Sequence, residues 1–122
     1  MIHREHELQK ACVIWFRLQY PEYALLLFAV PNGGNRNPRE AARLKSEGVT
    51  AGISDLILLL PHKVNDRVLS NSLCIEFKTA KGKQQKTQKA FEKAVILNGS
   101  RYQIIRSVDE FIKLIEWHLQ KP

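Results

Sequence analysis

Asp55, Glu76 and Lys78 are the residues of this chain whose types and spacing could do chemistry. Asp55 opens an apolar run over 56–60, and after a polar stretch a second strand-like segment, 73–78, carries Glu76 and Lys78 two residues apart. Side chains alternate along a strand, so Leu73, Ile75 and Phe77 point one way while Cys74, Glu76 and Lys78 point the other. If the two segments pair, Asp55 approaches Glu76 and Lys78, which sets two carboxylates beside a fixed ammonium. Such a donor set suits a hydrated divalent cation, Mg2+ with Mn2+ as its substitute, held by few protein oxygens and left open to water and a phosphate oxygen. The backbone carbonyl of Phe77 is a further expected ligand. Lys78 is then placed to orient or deprotonate an attacking water and to stabilise developing negative charge, which together amount to hydrolysis of a phosphodiester. Two solvent-facing charges on an amphipathic strand are the alternative meaning of Glu-x-Lys.

Those two strands need elements around them. Residues 3–18 have helical periodicity, with Leu8, Ala11, Cys12, Trp15 and Phe16 forming the core-facing stripe. Glu7, in line with Ala11 and Ile14, sits at the edge of that stripe, either reaching inward as a ligand or resting as a first-turn acid favoured by the helix dipole. Pro21 ends the helix, and 23–30 reads as a buried strand running into Pro31-Asn32-Gly33-Gly34-Asn35-Arg36-Asn37-Pro38. The exposed backbone N–H groups of Gly33 and Gly34, flanked by Asn32 and Arg36, suit phosphate contact, although a plain surface loop has the same composition. A basic helix carrying Arg39, Arg43 and Lys45 follows over about 39–47, with Pro38 in its first turn and Gly48 past its end. Residues 61–71, with Asn65-Asp66, read as a hairpin turn with extended arms that makes the two framing strands antiparallel, although the length equally admits a wider excursion. A helix over about 85–98, ended by Gly99, places Gln88 on or near its core-facing side. A strand over 102–106 and a last helix behind the Ser107 to Glu110 capping box complete the chain. In that helix Val108, Phe111, Ile112, Ile115 and Leu119 form the expected buried stripe, with Leu114 and Trp117 off it, either covering a second contact such as a dimer interface or standing as two scattered surface apolars. The order helix, strand, helix, strand, strand, helix, strand, helix fits a mixed α/β sheet flanked by helices.

With 122 residues the chain has room for one core, so a single domain over 1–122 is expected. Its apolar runs are too short to span a membrane, and its N-terminus has no apolar signal region, so a cytoplasmic location with Cys12 and Cys74 as free buried thiols is expected. The net charge of +7 favours a polyanionic partner, nucleic acid first. Lys78, Lys81, Lys83, Lys86, Lys89 and Lys93 crowd the segment just beyond Glu76, where they would steer a phosphodiester towards acids that otherwise repel it.

The ordered set of Glu7, Pro31-Asn32-Gly33-Gly34, Arg36, Arg43-Leu44-Lys45-Ser46-Glu47-Gly48, Gly52-Ile53-Ser54-Asp55-Leu56, Ile75-Glu76-Phe77-Lys78-Thr79 with Lys81-Gly82, and Gln88 resembles the VRR-NUC family of nucleases, within the restriction-endonuclease-like PD-(D/E)XK superfamily. The resemblance spans nearly the whole chain. It implies a restriction-endonuclease-like mixed central sheet flanked by helices, catalytic roles for Asp55, Glu76 and Lys78, and a site completed by Glu7 and Gln88. It also implies that Asn32, Gly33, Gly34, Arg36, Arg43, Lys45, Lys81, Lys83 and Lys86 serve DNA binding. Short members of this kind are similar to homodimeric nucleases acting on branched DNA, including four-way (Holliday) junctions. The one departure is Ser54, where the family usually carries Pro; that residue shapes backbone and supplies no chemistry. Flaps, ends or duplex as the substrate, or a catalytically silent nucleic-acid-binding module, are the competing expectations.

Overall fold

The computed structural model describes residues 4–31 and 37–121. Asn32, Gly33, Gly34 and Arg36 therefore lie outside the described residues. Helix α1 (Arg4–Gln19) buries Cys12 and Phe16 and leaves Ala11, expected on the stripe, exposed. Tyr20 closes it by donating its N–H to the Phe16 carbonyl at 2.8 Å, and Pro21 then opens a 3-10 turn, Pro21–Leu26. This corrects the strand expected over 23–30: proline at the first position fixes a helical φ, so only Leu27–Ala29 (β1) is extended. Leu25 is 94% exposed on that turn.

Helix α2 (Pro38–Ser46) starts where the Asn37 side chain accepts the Glu40 N–H at 2.7 Å, and Gly48, at φ 105°, takes the left-handed conformation past its end. It buries none of its residues. Strands β2 (Leu56–Leu58) and β5 (Leu73–Phe77) are joined through a separate hairpin, β3 (His62–Val64) and β4 (Arg67–Ser70). Asn65 and Asp66, both at positive φ, make the turn between β3 and β4 whose twist matches paired strands. Helix α3 (Lys86–Leu97) crosses over to β6 (Arg101–Ile105), and α4 (Val108–Leu119) follows.

The main sheet runs β1-β2-β5-β6, antiparallel except for β5 beside β6. A parallel pair needs a crossover, and α3 provides it, lying over the opposite face of the sheet from α1 and α4. Strand β5 is therefore buried on both faces. Leu73, Ile75 and Phe77 join Leu56, Leu58, Ile105, Phe16, Phe111 and Ile115 in the main core. Cys74, Glu76 and Lys78 occupy the α3 side, buried as well. The expected mixed α/β sheet flanked by helices is thus observed, and Cys12 and Cys74 are buried free thiols.

Helix α4 buries Leu114 together with Phe111, Ile115 and His118, so Leu114 belongs to the core and not to a second surface. Trp117 is 44% exposed but stacks on His62 at 3.9 Å and lies under the Arg101 guanidinium at 4.4 Å. Two buried histidines fasten this region. His118 Nε2 donates to the Leu60 carbonyl at 2.7 Å and His62 Nδ1 to the His118 carbonyl at 2.8 Å, which ties the exit of β2 and the hairpin to α4. Burial holds the His118 ring neutral by lowering its pKa. Among the described residues no helix is long and apolar enough to cross a membrane.

Candidate active site

The antiparallel register places Leu56 opposite Ile75, which carries Asp55, one residue before β2, level with the end of β5 where Glu76 projects. The Val30 N–H donates to the Asp55 carbonyl at 3.0 Å and extends the β1–β2 ladder to this point. The Phe77 N–H then donates to Asp55 Oδ2 at 2.7 Å. A backbone donor on one carboxylate oxygen fixes the direction of the group.

Glu76 is only 3% exposed. Its Oε2 accepts the Gln88 Nε2–H at 3.0 Å, while its Oε1 is buried with no hydrogen-bond donor among the described residues. Gln88 is itself oriented, because its Oε1 accepts the Gln85 N–H at 2.8 Å in the first turn of α3. The helix start therefore decides which end of the amide meets Glu76. Lys78, 7% exposed, follows on the same face of β5, and its N–H donates to the Ile105 carbonyl at 3.1 Å, which keeps the strand geometry through the site. Together with Glu5, Gly52 and Thr87, these groups line a cleft of about 380 Å³.

Burial, then the neighbouring Asp55 charge, pushes the Glu76 carboxyl up to about 8, against the partial relief that Lys78 provides. Asp55 is raised too, chiefly by burial, with the Phe77 amide opposing. Two carboxyl groups this close titrate as a pair and share a proton near neutrality. A buried carboxylate oxygen without a donor, beside a second carboxylate, is the arrangement that a cation would satisfy. The donors are all hard oxygens, which fits Mg2+ or Mn2+ better than a softer metal. Among the described residues no group of three or more His, Cys, Asp or Glu side chains is disposed to hold a metal, so the fit is that of a two-carboxylate site.

A family model described as the VRR-NUC domain matches residues 3–109. The chain belongs to this nuclease family. A solved structure described as a VRR_NUC domain protein superposes with a TM-score of 0.79 at 22% sequence identity, covering 95% of this chain and 88% of that one, which shows the shared fold. No curated protein matches the chain.

In this VRR-NUC domain Asp55, Glu76 and Lys78 come together as the spacing suggested and Gln88 meets them as the resemblance implied, but Glu7 does not. Glu7 is exposed and does not line the cleft. Glu5 takes that place, its Oε2 accepting the Thr79 N–H at 3.3 Å. Two residues along a helix is a rotation of about 200°, so only one of these acids can face β5. Glu7 lines up with Ala11 and Ile14, which are exposed, whereas Glu5 stands seven and eleven residues before the buried Cys12 and Phe16. That alignment is the signal in the sequence that pointed to Glu5. Ser54, at the position where the family usually has Pro, is buried and donates its hydroxyl to the Leu56 carbonyl at 3.2 Å, so a side-chain hydrogen bond braces this backbone.

Of the residues expected to meet DNA, Lys81, Lys83 and Lys86 are exposed beyond the cleft, and Lys45 is exposed on α2. Arg43 is engaged with Glu47 one turn on, at 3.1 Å.

Gly52 sets the back wall of the cleft. It lies at φ 87°, and a Cβ there would meet the Thr87 backbone carbon and oxygen at 2.5 Å. Only glycine lets the loop before Asp55 pass this close to the start of α3. Gly52→Ala is expected to cost about 2 kcal/mol or more in denaturant unfolding, from left-handed strain and the clash with backbone. It should also loosen the Gln88 to Glu76 bond, since both sides of the cleft must part.

Proposed function

We propose that this VRR-NUC domain is a Mg2+-dependent, structure-selective endodeoxyribonuclease that hydrolyses phosphodiester bonds in branched DNA, with four-way junctions as its substrate and Mn2+ as a substitute metal. The observation that carries this reading is the buried, unpaired Glu76 Oε1 beside Asp55 and Lys78 in one open cleft. Asp55 and Glu76 would hold the metal, which when bound supplies a polarised phosphoryl oxygen and a water of lowered pKa. The Phe77 carbonyl supports a third contact: the N–H and C=O of one strand residue leave by the same edge, and the Phe77 N–H is on Asp55.

The chain's own residues divide the remaining work. The Phe77 amide and Gln88 hold the two carboxylates in their orientations, so that little rearrangement is needed when substrate arrives. Lys78 orients the attacking water, accepts or shares its proton, and offsets negative charge on the phosphoryl oxygens. Glu5, in place of Glu7, completes the acidic rim and anchors the Thr79 amide. The lysines at 81, 83 and 86 draw the backbone of the nucleic acid to a site whose acids would repel it. The chain acts as one domain over residues 1–122. Recognition rests on backbone and shape, and a homodimer with two-fold symmetry would address two strands of a symmetric junction.

Cleavage of end-labelled four-way junction, flap and linear duplex DNA with Mg2+, Mn2+ or chelator tests this. Paired, metal-dependent nicks confined to the junction are expected. Equal cutting of flaps or duplex would retain the chemistry and remove the junction preference, whereas binding without cutting under every metal would make the protein a silent binding module. In filter binding across salt, Lys83→Ala and Lys86→Ala should each weaken affinity and reduce the slope of log K against log salt by about 1. An unchanged slope would mean that these lysines form only a solvated face.

A further inference from the structure

A second pocket of about 450 Å³ adjoins the acidic cleft and shares Lys78 with it. Its walls bring Arg4 from the first turn of α1, Lys81 from the loop after β5 and Arg106 from the end of β6 around Lys78, over a floor of Leu8 and Ala80. Among the described residues no carboxylate lines it. Among the described residues, none of Arg4, Lys81 and Arg106 forms an ion pair with an acidic side chain.

Arg106 is held in place without being neutralised. Its Nη1 donates to the Thr79 carbonyl at 2.6 Å and to the Gly82 carbonyl at 2.8 Å, while Glu110 accepts its backbone N–H at 2.8 Å and leaves the guanidinium free of a carboxylate. The same loop is tied from the other side, where Glu5 accepts the Thr79 N–H. A fixed guanidinium with N–H groups still to spend, two further cations and an apolar floor make a site for a group that is anionic at one end and flat or apolar at the other.

We propose that this pocket is a nucleotide subsite, which takes the phosphate next to the scissile phosphodiester between Arg4, Lys81 and Arg106 and seats the attached sugar and base on Leu8 and Ala80. The inference rests on the acidic cleft being the nuclease site, because Lys78 then stands between two consecutive phosphates of one strand. It also supplies what recognition through backbone and shape requires: a grip on the backbone that sets the strand's path past the acids.

Two measurements test it separately from the nuclease reading. In chelator, thymidine 3′,5′-bisphosphate titrated into the full chain should bind saturably, about tenfold more weakly to Arg4→Ala and more weakly still to Arg4→Ala combined with Arg106→Gln, with Lys113→Ala as an unaffected control of equal charge loss. Among the described residues the Arg4 side chain makes no hydrogen bond or ion pair that its removal would break, so the single variant keeps the test valid should Arg106→Gln disturb the loop. Undiminished binding by Arg4→Ala would overturn the subsite. This arm needs no cleavage, so binding of the bisphosphate by a chain that cuts nothing would leave a nucleotide-binding pocket at Arg4, Lys81 and Arg106 while removing the nuclease reading and, with it, the place beside a scissile phosphate. With Mg2+, replacing each phosphate near the cut by a neutral methylphosphonate should slow cleavage about tenfold at one adjacent position, and Arg4→Ala should be indifferent to that replacement. Equal sensitivity at many positions would overturn the proposal.

Discussion

Glu76→Ala is expected to lower the cleavage rate by about 10³-fold or more while DNA binding in chelator stays intact or tightens. The side chain removed is the one whose Oε1 is buried without a partner, and without it Asp55 is the one carboxylate left of the pair that would hold a metal. Binding should survive because the cations that meet the backbone lie outside the acidic pair, and the loss of a negative charge favours a polyanion. Single-turnover cleavage and filter binding on the same preparation check both halves; wild-type cutting by the purified variant would remove Asp55 and Glu76 as the catalytic pair.

A second, independent readout is stability against pH. The Glu76 carboxyl titrates ordinarily at 4.5, and burial with the Asp55 charge pushes it up to about 8 in the folded protein. Between these values the unfolded chain has released a proton that the folded one retains. In chelator, stability is therefore greatest below about 4.5 as far as this group is concerned, and falls as the pH rises towards about 8. Glu76→Gln should flatten this slope. Added Mg2+, which competes with the shared proton, should raise the Tm more above neutrality than at mildly acidic pH, as differential scanning fluorimetry would record.

Lys78→Ala should reduce cleavage by about 10³-fold through a different route. Its positive charge lowers the pKa of both Asp55 and Glu76, so its loss leaves the pair harder to ionise. The acidic limb of the rate profile should move to higher pH, and half-maximal activity should need more Mg2+. Saturating metal at high pH would repair that part, but not the missing proton acceptor beside the attacking water. Lys78→Arg separates the two contributions: it restores charge without a group that deprotonates, so the pH limb should return while the rate does not. Full recovery of rate in Lys78→Ala at high pH and high metal would reduce Lys78 to a purely electrostatic role.

The legible part of this protein lies where a local rule fixes direction. Alternation along β5 put Glu76 and Lys78 on one face, and the antiparallel pairing of β2 with β5 brought Asp55 to them. The caps at Gly48 and Ser107 and the Asn65–Asp66 turn follow from side-chain and backbone chemistry within a few residues, and each is found where its residues are. Such features depend on neighbours in sequence, so the sequence by itself determined them, along with the family's ordered residues and the basic character of the chain.

Contacts between distant elements were settled only in the folded chain. Which acid of α1 faces the cleft depends on how the helix is rotated against β5, and packing of Cys12 and Phe16 turns Glu5 inward and Glu7 out. Gln88 becomes the holder of Glu76 because α3 lies over that face of the sheet. The burial of Leu114 and the two histidine bonds under α4 likewise need three elements at once. So does the basic pocket, which gathers Arg4 and Arg106 from opposite ends of the chain beside Lys78. Periodicity ranks the faces of one element, but the packing of several against a common core decides which of two near-equivalent faces is buried, and with it the composition of the site.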